Sequence, residues 1–166
     1  ICISSFDKSS DQVDSRFVNL KYIKDDEWIF FTNYNSPKAF QFKQHDQISA
    51  VFFWRSTYSQ IRMKAKVTKT CSDFCDEHYR KRDASKNKIA TISNQSERIE
   101  SYDHIVENFN SNRCFNPDLM KRPDYWGGYS FTPYYFEFWE GHDYRINKRT
   151  AYQLKEDNWV NFYLQP

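Results

Sequence analysis

The chain has 166 residues, of which 39% are hydrophobic and 28% are charged, so it is long enough to form one domain with a substantial core. Its formal net charge is only +2, which is too small to indicate nucleic-acid or membrane binding through bulk electrostatics. A bound anion therefore needs a local site. Aromatic residues make up 19% of the chain, a composition typical of strands and of sites that stack flat rings.

Signals of membrane insertion and export are absent from the sequence. No run of 18 or more apolar residues occurs, and no basic-then-apolar leader precedes the first strand. The cysteines are Cys2, Cys71, Cys75 and Cys114. Their spacings show no paired framework, so we expect reduced thiols in a cytoplasmic protein. The chain does not begin with Met, and "ICISSF" is typical of a strand entered in mid-course, so we expect a further N-terminal segment before Ile1.

The first third of the sequence predicts a β-hairpin followed by a helix. Residues 15–23 and 28–33 are rich in β-formers, and the polar "KDDE" between them favours a turn. Ser36 is a suitable N-cap and Pro37 a suitable first helical residue, so we predict that a helix begins there.

Two strands and two helices are predicted next. The strands are 47–54 and 60–69, and the second alternates apolar and polar residues cleanly. A helix is expected after Ser72 as N-cap, and another from about Glu97 to Phe109. One face of the first carries Cys75, His78, Tyr79 and Arg82, and the predicted buried stripe of the second is Ile99, Tyr102, Ile105, Val106 and Phe109.

The C-terminal third contains three further strand candidates, 127–132, 134–140 and 157–164. Several strands with a few interposed helices indicate an α+β, mainly β fold, most simply an antiparallel barrel with peripheral helices. The chain has only three glycines, and all of them, Gly127, Gly128 and Gly141, lie in this region.

Common catalytic and metal motifs do not fit this sequence. With so few glycines, neither a GxGxxG nor a GxxxxGK[ST] loop is possible, and no nucleophile elbow is present. Cys71 and Cys75 have only His78 nearby, on the same short helix, so we predict a packed Cys75 and a surface Cys71 and expect no metal. Interleaved aromatics and lysines could suit single-stranded nucleic acid, but the near-neutral charge favours alternating core and surface faces.

The remaining candidates are cations near strands and helix starts: Arg16, Lys21, Lys38, Arg82, Lys86, Arg145 and Arg149. Most Lys and Arg side chains are simply solvated. However, Lys38 lies in the first turn of a predicted helix, where free N–H groups favour a phosphate. Arg16 and Lys21 differ in strand parity, so they either serve different parts of a ligand or flank a bulge.

Several blocks together resemble the pyridoxamine/pyridoxine 5'-phosphate oxidase family. "SRFVNLK" is similar to the family's R-x-V-L-L-K strand and "FFTNYNSPKA" to its F-[FY]-T-N-x-x-S-R-K-[AG] segment. "SQI" at 59–61 is similar to R-Q-V, and "NQSERI" to K-Q-S-S-x-I. The most specific block is "YWGGYSF…EFWEG…YRINKR", which resembles W-G-G-[YF]-x-x…E-F-W-Q-G…R-L-H-D-R.

The resemblance covers nearly the whole chain and implies a single FMN-binding split β-barrel domain over 1–166. It also implies a homodimer with FMN at the subunit interface and a C-terminal dimerisation region at about 124–166. The implied substrate is a phosphorylated B6 vitamer, with no nucleic-acid or membrane partner. The implied cofactor-binding residues are Arg16, Phe17, Val18, Asn19, Leu20, Lys21, Phe31, Thr32, Lys38, Gln60, Gln95, Ser96, Trp139 and Arg149.

The same resemblance implies a substrate site and a catalytic pair. Lys21 and Arg82 would hold the substrate phosphate, with His78 or its neighbour Tyr79 where the family has Tyr. Arg145 would cover the pyridine ring, so Arg145 and Asn147 are the implied catalytic residues. The implied substrate-binding residues are Lys21, His78, Tyr79, Arg82, Lys86, Arg145 and Asn147. If the segment is extended, Arg145 and Asn147 share parity and project from one side.

Four departures from the family pattern fall on predicted binding residues or on their neighbours in sequence. Pro37 stands where the family has an Arg, and Lys86 where it has a Ser. Asn147 and Lys148 replace the His and Asp of R-L-H-D-R. Three functions therefore remain open: an oxidase of phosphorylated B6 vitamers, an oxidase of the phenazine-biosynthesis type, and a flavin- or pyridoxal-phosphate-binding protein without turnover.

Overall fold

A computed structural model describes residues 1–111 and 117–166. The strands are β1 (Cys2–Asp7), β2 (Gln12–Phe17), β3 (Leu20–Lys24), β4 (Glu27–Asn33), β5 (Gln47–Trp54), β6 (Ser59–Lys69), β7 (Trp126–Glu140), β8 (Lys148–Lys155) and β9 (Asn158–Leu164). The helices are α1 (Pro37–Gln44), α2 (Ser72–Lys81), α3 (Ala84–Ile92) and α4 (Tyr102–Ser111), with a short 3-10 helix at Pro117–Met120.

All nine strands belong to one sheet, in the order β2-β1-β5-β6-β7-β4-β3, with β8 pairing with β7 and β9 pairing with β8. The β5–β6 and β7–β8 registers are antiparallel, which places Phe53 opposite Gln60 and Trp139 opposite Arg149. An antiparallel sheet with helices outside it is the mainly β, α+β architecture that the sequence predicts.

The chain forms two compact units, each assembled from separate stretches of sequence. Unit 1 comprises Ile1–Phe30, Gln41–Thr68 and Ser130–Pro166, and unit 2 comprises Phe31–Phe40 and Lys69–Tyr129. Because both units draw on several stretches, no single cut in the sequence separates them.

The core of unit 1 is built from the inward faces of its strands. Phe30 and Phe131 are fully buried, with their ring centroids 6.3 Å apart. In β6 the predicted alternation is confirmed: Met63 and Ala65 are buried, whereas Lys64 is exposed. Residues two apart on a strand share a face, so this pattern leaves the polar face of β6 available outside the core.

The predicted hairpin is confirmed as β3 and β4, with Asp25 in its turn at φ 52°. However, the predicted strand over 15–23 is wrong, because β2 ends at Phe17 and β3 begins at Leu20. The register of β3 against β4 also shifts between Leu20 and Tyr22. This irregularity spans Lys21, and because Arg16 and Lys21 lie on different strands, the parity comparison between them does not apply.

Helix α1 begins at Pro37 as predicted, and the Oγ of the preceding Ser36 donates to the carbonyl of Asn33. The N-cap of α2 is Cys71 rather than Ser72. Helix α3 is not predicted by the sequence pattern; its N-cap is Asp83, whose carboxylate accepts the N–H of Ser85 at 2.8 Å.

The predicted helix over 97–109 begins later, at Tyr102. Three members of its predicted buried stripe are exposed: Ile99, which precedes the helix, by 55%, Tyr102 by 77% and Val106 by 36%. Amphipathic spacing alone therefore overestimates the packing of this segment.

The C-terminal strands also differ from prediction. The candidates 127–132 and 134–140 are one continuous strand, β7, and β8 is an additional strand that the pattern does not predict. The candidate 157–164 is confirmed as β9. Cys75 is buried and Cys71 exposed, as predicted, whereas Cys114 lies outside the described residues. Within 1–111 and 117–166, no helix is long and apolar enough to cross a membrane.

Gly127 is required because its backbone and the Tyr34 ring approach each other closely. It is not required for an unusual backbone angle, since no glycine has positive φ. A Cβ at Gly127 would lie 2.6 Å from Cζ of Tyr34. The Tyr34 ring is held there by its hydroxyl, which donates to the carbonyl of Gly128 at 3.1 Å, and by edge contact with Tyr129. A methyl group at 127 must therefore displace an anchored ring.

We expect Gly127→Ala to lower the free energy of unfolding by about 1–3 kcal/mol, because it overpacks the Tyr34 ring. Urea titrations of the two proteins measure the difference. In a Tyr34→Ala background, the same substitution should cost little. An equal cost in both backgrounds would contradict this explanation of the glycine.

Candidate functional site

A cavity of about 380 Å³ in unit 1 lies between the β5–β6 turn and the end of β7. Two predicted cofactor-binding residues, Gln60 and Trp139, both line it. Its lining is Trp54, Thr57, Ser59, Gln60, Ile61, Phe138, Trp139 and Glu140. The walls are mainly aromatic and aliphatic, with a few polar groups, which is the usual make-up of a small-molecule site.

The β5–β6 turn is fixed against the end of β7 by Tyr58. Its ring meets Trp139 edge-on with the centroids 5.7 Å apart, and its carbonyl accepts the N–H of Gly141 at 3.0 Å. A Cβ at Gly141 would overlap the Tyr58 ring. This glycine therefore allows the ring to close over the strand end, and the cavity wall is held in place by packing.

A buried charge cluster lies next to this cavity. Glu137, two residues before Trp139, is only 2% exposed. Its Oε1 accepts from Nε and from Nη2 of Arg149, each at 2.8 Å, and its Oε2 accepts from Nη1 of Arg62 at 3.1 Å. The Tyr135 hydroxyl donates to Oε2 at 3.3 Å, and burial, followed by the Glu137 carboxylate, raises the pKa of that hydroxyl. Arg149 is thus anchored directly opposite Trp139.

Arg16, predicted to bind a phosphate, lies in a second polar cluster of unit 1. Its guanidinium donates to Ser5 Oγ and, at 3.1 Å, to Gln41 Oε1, and it lies 3.7 Å from an Asp14 oxygen. Ser5 and Gln41 are buried. Burial lowers the pKa of Arg16, and the Asp14 carboxylate opposes that shift. These partners hold the guanidinium in a defined orientation.

The chain between Arg16 and Lys21 is more exposed to solvent than the Arg16 cluster. Phe17 is 85% exposed, and Asn19 and Lys21 are exposed too, whereas Val18 and Leu20 are half-buried. The structure thus places the predicted cofactor-binding segment at the surface, at the connection between the end of β2 and the start of β3.

Unit 2 contains a buried polar network around Lys38. The ammonium group of Lys38 donates to Thr32 Oγ1 and to Ser36 Oγ, each at 3.2 Å. The Thr32 hydroxyl in turn donates to Gln95 Oε1 at 3.3 Å, and the N–H of Asn33 donates to the same oxygen at 3.2 Å. Three predicted cofactor-binding residues, Thr32, Lys38 and Gln95, are therefore brought together. Ser96, the next residue after Gln95, is exposed and has φ 72°.

An aromatic stack lies in the same unit. Phe31 stacks on His78, with centroids 3.8 Å apart and planes 9° apart, and on Trp126 at 5.3 Å and 10°. The guanidinium of Arg82 lies 4.8 Å from the centre of the Trp126 ring. Tyr79 is 0% exposed and meets Trp126 edge-on, so it is a core residue. Of the two alternatives for one substrate contact, the geometry favours His78 and argues against Tyr79.

Arg82 also lines a cavity of about 210 Å³ in unit 2, together with Gln95 and Trp126. Nη1 of Arg82 donates to the carbonyl of Lys86 at 2.8 Å and to Oδ1 of Asn87 at 3.2 Å. Burial lowers the pKa of Arg82, while Tyr79 and Asp83 oppose that shift. The guanidinium is a fixed cation at the wall of this cavity, and Lys86 lies exposed in α3, four residues further on.

The expectation of an extended segment around Arg145 is wrong. Strand β8 begins at Lys148, and Arg145 has φ 64° in a turn closed by its own N–H donating to the His142 carbonyl at 2.9 Å. The Asn147 amide oxygen accepts the N–H of His142 at 3.1 Å. The parity argument for Arg145 and Asn147 therefore fails: Arg145 is exposed at a turn, and Asn147 helps to close the loop.

Trp126 and Glu137 are among the residues of these sites that the sequence-based set does not include. Both lie inside the quoted C-terminal signature, as the Trp of "YWGG" and the Glu of "EFWEG". For Glu137 the available signal is parity: it shares a strand face with Trp139, two residues on. No local pattern indicates that the carboxylate is buried between two arginines, because Arg62 is 75 residues away in sequence.

Comparisons with known proteins agree with the resemblance. The model of the pyridoxine 5'-phosphate oxidase C-terminal dimerisation region matches residues 126–166. Among solved structures, PhzG from Burkholderia lata, in complex with tetrahydrophenazine-1-carboxylic acid, aligns with a TM-score of 0.86 at 22% identity, over 99% of this chain and 81% of that one. A pyridoxamine 5'-phosphate oxidase-related, FMN-binding protein from Nostoc punctiforme aligns with a TM-score of 0.78 at 14% identity, over 99% and 87%. These neighbours establish the split-barrel fold.

The curated relatives are more similar in sequence. A pyridoxine/pyridoxamine 5'-phosphate oxidase from Haemophilus influenzae is 32% identical over 152 residues, which are 92% of this chain and 72% of the relative. One from Bacteroides thetaiotaomicron is 37% identical over 145 residues, 86% of this chain and 68% of the relative. On this similarity, together with the fold, the chain belongs to the pyridoxine/pyridoxamine 5'-phosphate oxidase family.

Proposed function

We propose that this protein is an FMN-dependent oxidase that oxidises pyridoxamine or pyridoxine 5'-phosphate, or a related amine or alcohol, with O₂. The observation that carries the proposal is the aromatic-walled cavity of unit 1, in which Gln60 and Trp139 face the same space. These two residues come from blocks almost 80 positions apart in sequence, and both match flavin-binding positions of the family pattern.

The cavity suits a flat heteroaromatic ring. Its volume of about 380 Å³ lies within the roughly 300–1,000 Å³ range of small-molecule sites. Trp139 and Phe138 offer apolar ring surface, and the Gln60 amide offers one donor group and one acceptor for polar ring edges. Arg149, held opposite Trp139, supplies a fixed cation beside the ring.

The phosphate-binding groups favour a mononucleotide over a dinucleotide. Lys38 lies in the first turn of α1, where backbone N–H groups and the helix dipole favour an anion. Arg16, held by buried Ser5 and Gln41, is a second candidate for a phosphate contact. Because the three glycines allow no dinucleotide-binding loop, FMN fits these residues better than FAD or a nicotinamide.

A phosphorylated substrate is supported by the cations of unit 2. Arg82 is fixed at a cavity wall and can bind an anion with planar, directed N–H groups, whereas exposed Lys86 adds a mobile point charge. His78, stacked on Phe31, adds a ring nitrogen at this side.

The residues of the chain bind the cofactor and the substrate and orient them, and the cofactor supplies the redox chemistry. The chemistry that FMN would supply when bound is acceptance of a hydride equivalent from the substrate carbon that carries the amine or alcohol, followed by transfer of the electrons to O₂. Arg145, at the tip of its turn, is our candidate for orienting the substrate ring. Asn147 closes that turn through His142, and as an amide it cannot supply a cation near neutral pH. We therefore expect slow turnover.

Two other functions have specific observations in their favour. The PhzG neighbour favours an oxidase of the phenazine-biosynthesis type, but the paired cations Arg82 and Lys86 favour a phosphate-bearing substrate. The engagement of Asn147 in its own loop favours a binding protein without turnover. Anaerobic addition of pyridoxamine 5'-phosphate to the FMN complex separates the proposed function from these two: bleaching of the flavin absorbance supports the oxidase of phosphorylated B6 vitamers, and an unchanged spectrum favours one of the alternatives.

We expect the purified chain to bind FMN, and Gln60→Ala to weaken that binding by roughly three- to tenfold through the loss of a hydrogen bond to the ring. Quenching of flavin fluorescence during titration measures the affinity. The matched control is Lys66→Ala, an exposed position on the same strand, which should leave the affinity unchanged. Release of FAD, rather than FMN, by heating the purified protein would overturn the cofactor assignment.

Arg145→Ala should reduce kcat/KM by about ten- to a hundredfold, or roughly 1.5–3 kcal/mol, because a charged contact to the substrate is lost. FMN affinity should stay nearly constant. Asn147→His should raise the rate with pyridoxamine 5'-phosphate, since an imidazole can close the loop and also become cationic. Steady-state oxidation assays measure both. If neither variant changes the rate, the substrate is a different one or the site is not catalytic.

We also expect a homodimer, because residues 126–166 match a dimerisation region and β9 exposes Trp159, Val160 and Tyr163. A cluster of exposed apolar side chains needs a partner surface. Val160→Asp should shift the mass by light scattering from two chains toward one. The control Val13→Asp, at an exposed apolar position on β2, should stay dimeric; a monomeric wild-type chain that still holds FMN tightly would contradict the proposal.

A further inference from the structure

We propose that Glu137 is a positioning residue: its buried carboxylate fixes the guanidinium of Arg149 beside the ring-binding cavity, and Arg62 provides the second counter-charge. The inference rests on the proposed function, since it assigns Glu137 a role in holding FMN. It concerns a residue that does not line the cavity and so acts only through its neighbour.

The burial of Glu137 calls for an explanation in terms of its partners. A carboxylate that is 2% exposed loses most of its hydration, a cost that partners must offset. Replacing such a buried ion cluster by apolar residues of similar volume is often neutral or stabilising. The carboxylate is therefore poorly explained by stability alone.

The geometry explains what the carboxylate does. Nε and Nη2 of Arg149 both bind Oε1 of Glu137 at 2.8 Å, while Nη1 donates to the carbonyl of Gln165 at 2.8 Å. Contacts from all three nitrogens fix both the position and the plane of the guanidinium. The Arg149 side chain is nevertheless 25% exposed, so part of it stays accessible. A guanidinium held in this way loses little conformational entropy when it contacts a ligand.

The cluster also connects the strands that carry the two cavity residues. Arg62 follows Gln60 by two residues on β6, Glu137 precedes Trp139 by two on β7, and Arg149 lies opposite Trp139 on β8. Two guanidinium groups and one carboxylate leave a formal charge of +1 at this place. The cluster thus presents an oriented positive charge at the edge of an apolar cavity, where an electron-rich ring edge is stabilised.

The test is a double-mutant cycle on FMN affinity, measured with the full chain by flavin fluorescence. Glu137→Gln keeps the shape of the side chain and should weaken FMN binding by roughly tenfold. In an Arg149→Ala background, the same substitution should have almost no effect, because Glu137 acts through Arg149. Glu77→Gln, which removes one carboxylate from an exposed pair with Lys81, is the matched control and should leave the affinity unchanged.

If Glu137→Gln does not fold, the double variant Glu137→Gln, Arg62→Gln replaces it. This pair preserves the formal charge of +1. It should weaken FMN binding to the same extent. An unchanged affinity in the variant that folds, or an equal loss with and without Arg149, overturns the positioning role. A wild-type chain that binds no FMN overturns the proposed function and the positioning role together. Wild-type binding with an unaffected variant overturns the positioning role alone.

Discussion

The antiparallel pairing of β7 with β8 is the constraint on which the candidate site depends. Its register places Trp139 opposite Arg149 and, two residues earlier, aligns Glu137 with Ala151. Side chains two apart on a strand share a face, so one register fixes the aromatic wall and the cation beside it. A slip of one residue would turn Trp139 and Glu137 to the other face, and both the cavity and the buried ion cluster would be lost.

Unit 1 and unit 2 each stabilise a charged side chain away from bulk water, but they do so with different partners. In unit 1 a carboxylate is neutralised by two guanidinium groups, whereas Lys38 in unit 2 is held by neutral hydroxyl groups of Thr32 and Ser36. Hydrogen bonds to neutral hydroxyl groups do not cancel the charge of the ammonium group. Arg149, paired with Glu137, instead provides orientation at a reduced net charge.

The departures from the family pattern occur among both groups of predicted binding residues. At the predicted substrate positions, Asn147 contributes an oxygen to its own loop, and Lys86 adds a charge in α3, four residues beyond Arg82. At the predicted flavin positions, Asn19 stands where the family strand has Leu. Pro37 lies at the first residue of α1, where a proline is compatible with the helix. The changes at Asn147 and Lys86 alter the predicted substrate contacts. This is consistent with an oxidase whose substrate orientation depends mainly on Arg145.

Local features of the sequence predicted a large part of the fold. The alternation in β6, the β3–β4 hairpin and the start of α1 at Pro37 follow from short-range periodicity and turn chemistry. The resemblance named Gln60 and Trp139 among the predicted flavin contacts, and both residues line the cavity of unit 1. Sequence patterns failed where contacts between distant segments decide the outcome, as in α4, whose amphipathic spacing does not bury Tyr102.

By itself, then, the sequence determined the strand-rich architecture and, through its resemblance, the family, whereas the residues that could hold a cofactor stay a prediction. Only the tertiary structure decided that Arg145 lies in a left-handed turn, that Tyr79 is in the core, and that Glu137 is buried between Arg62 and Arg149. It also showed that Gly127 is needed for the Tyr34 ring and not for a turn. The physical reason is the same in each case. Burial, charge pairing and steric overlap depend on which residues meet in space, and periodicity along the chain does not indicate which residues meet.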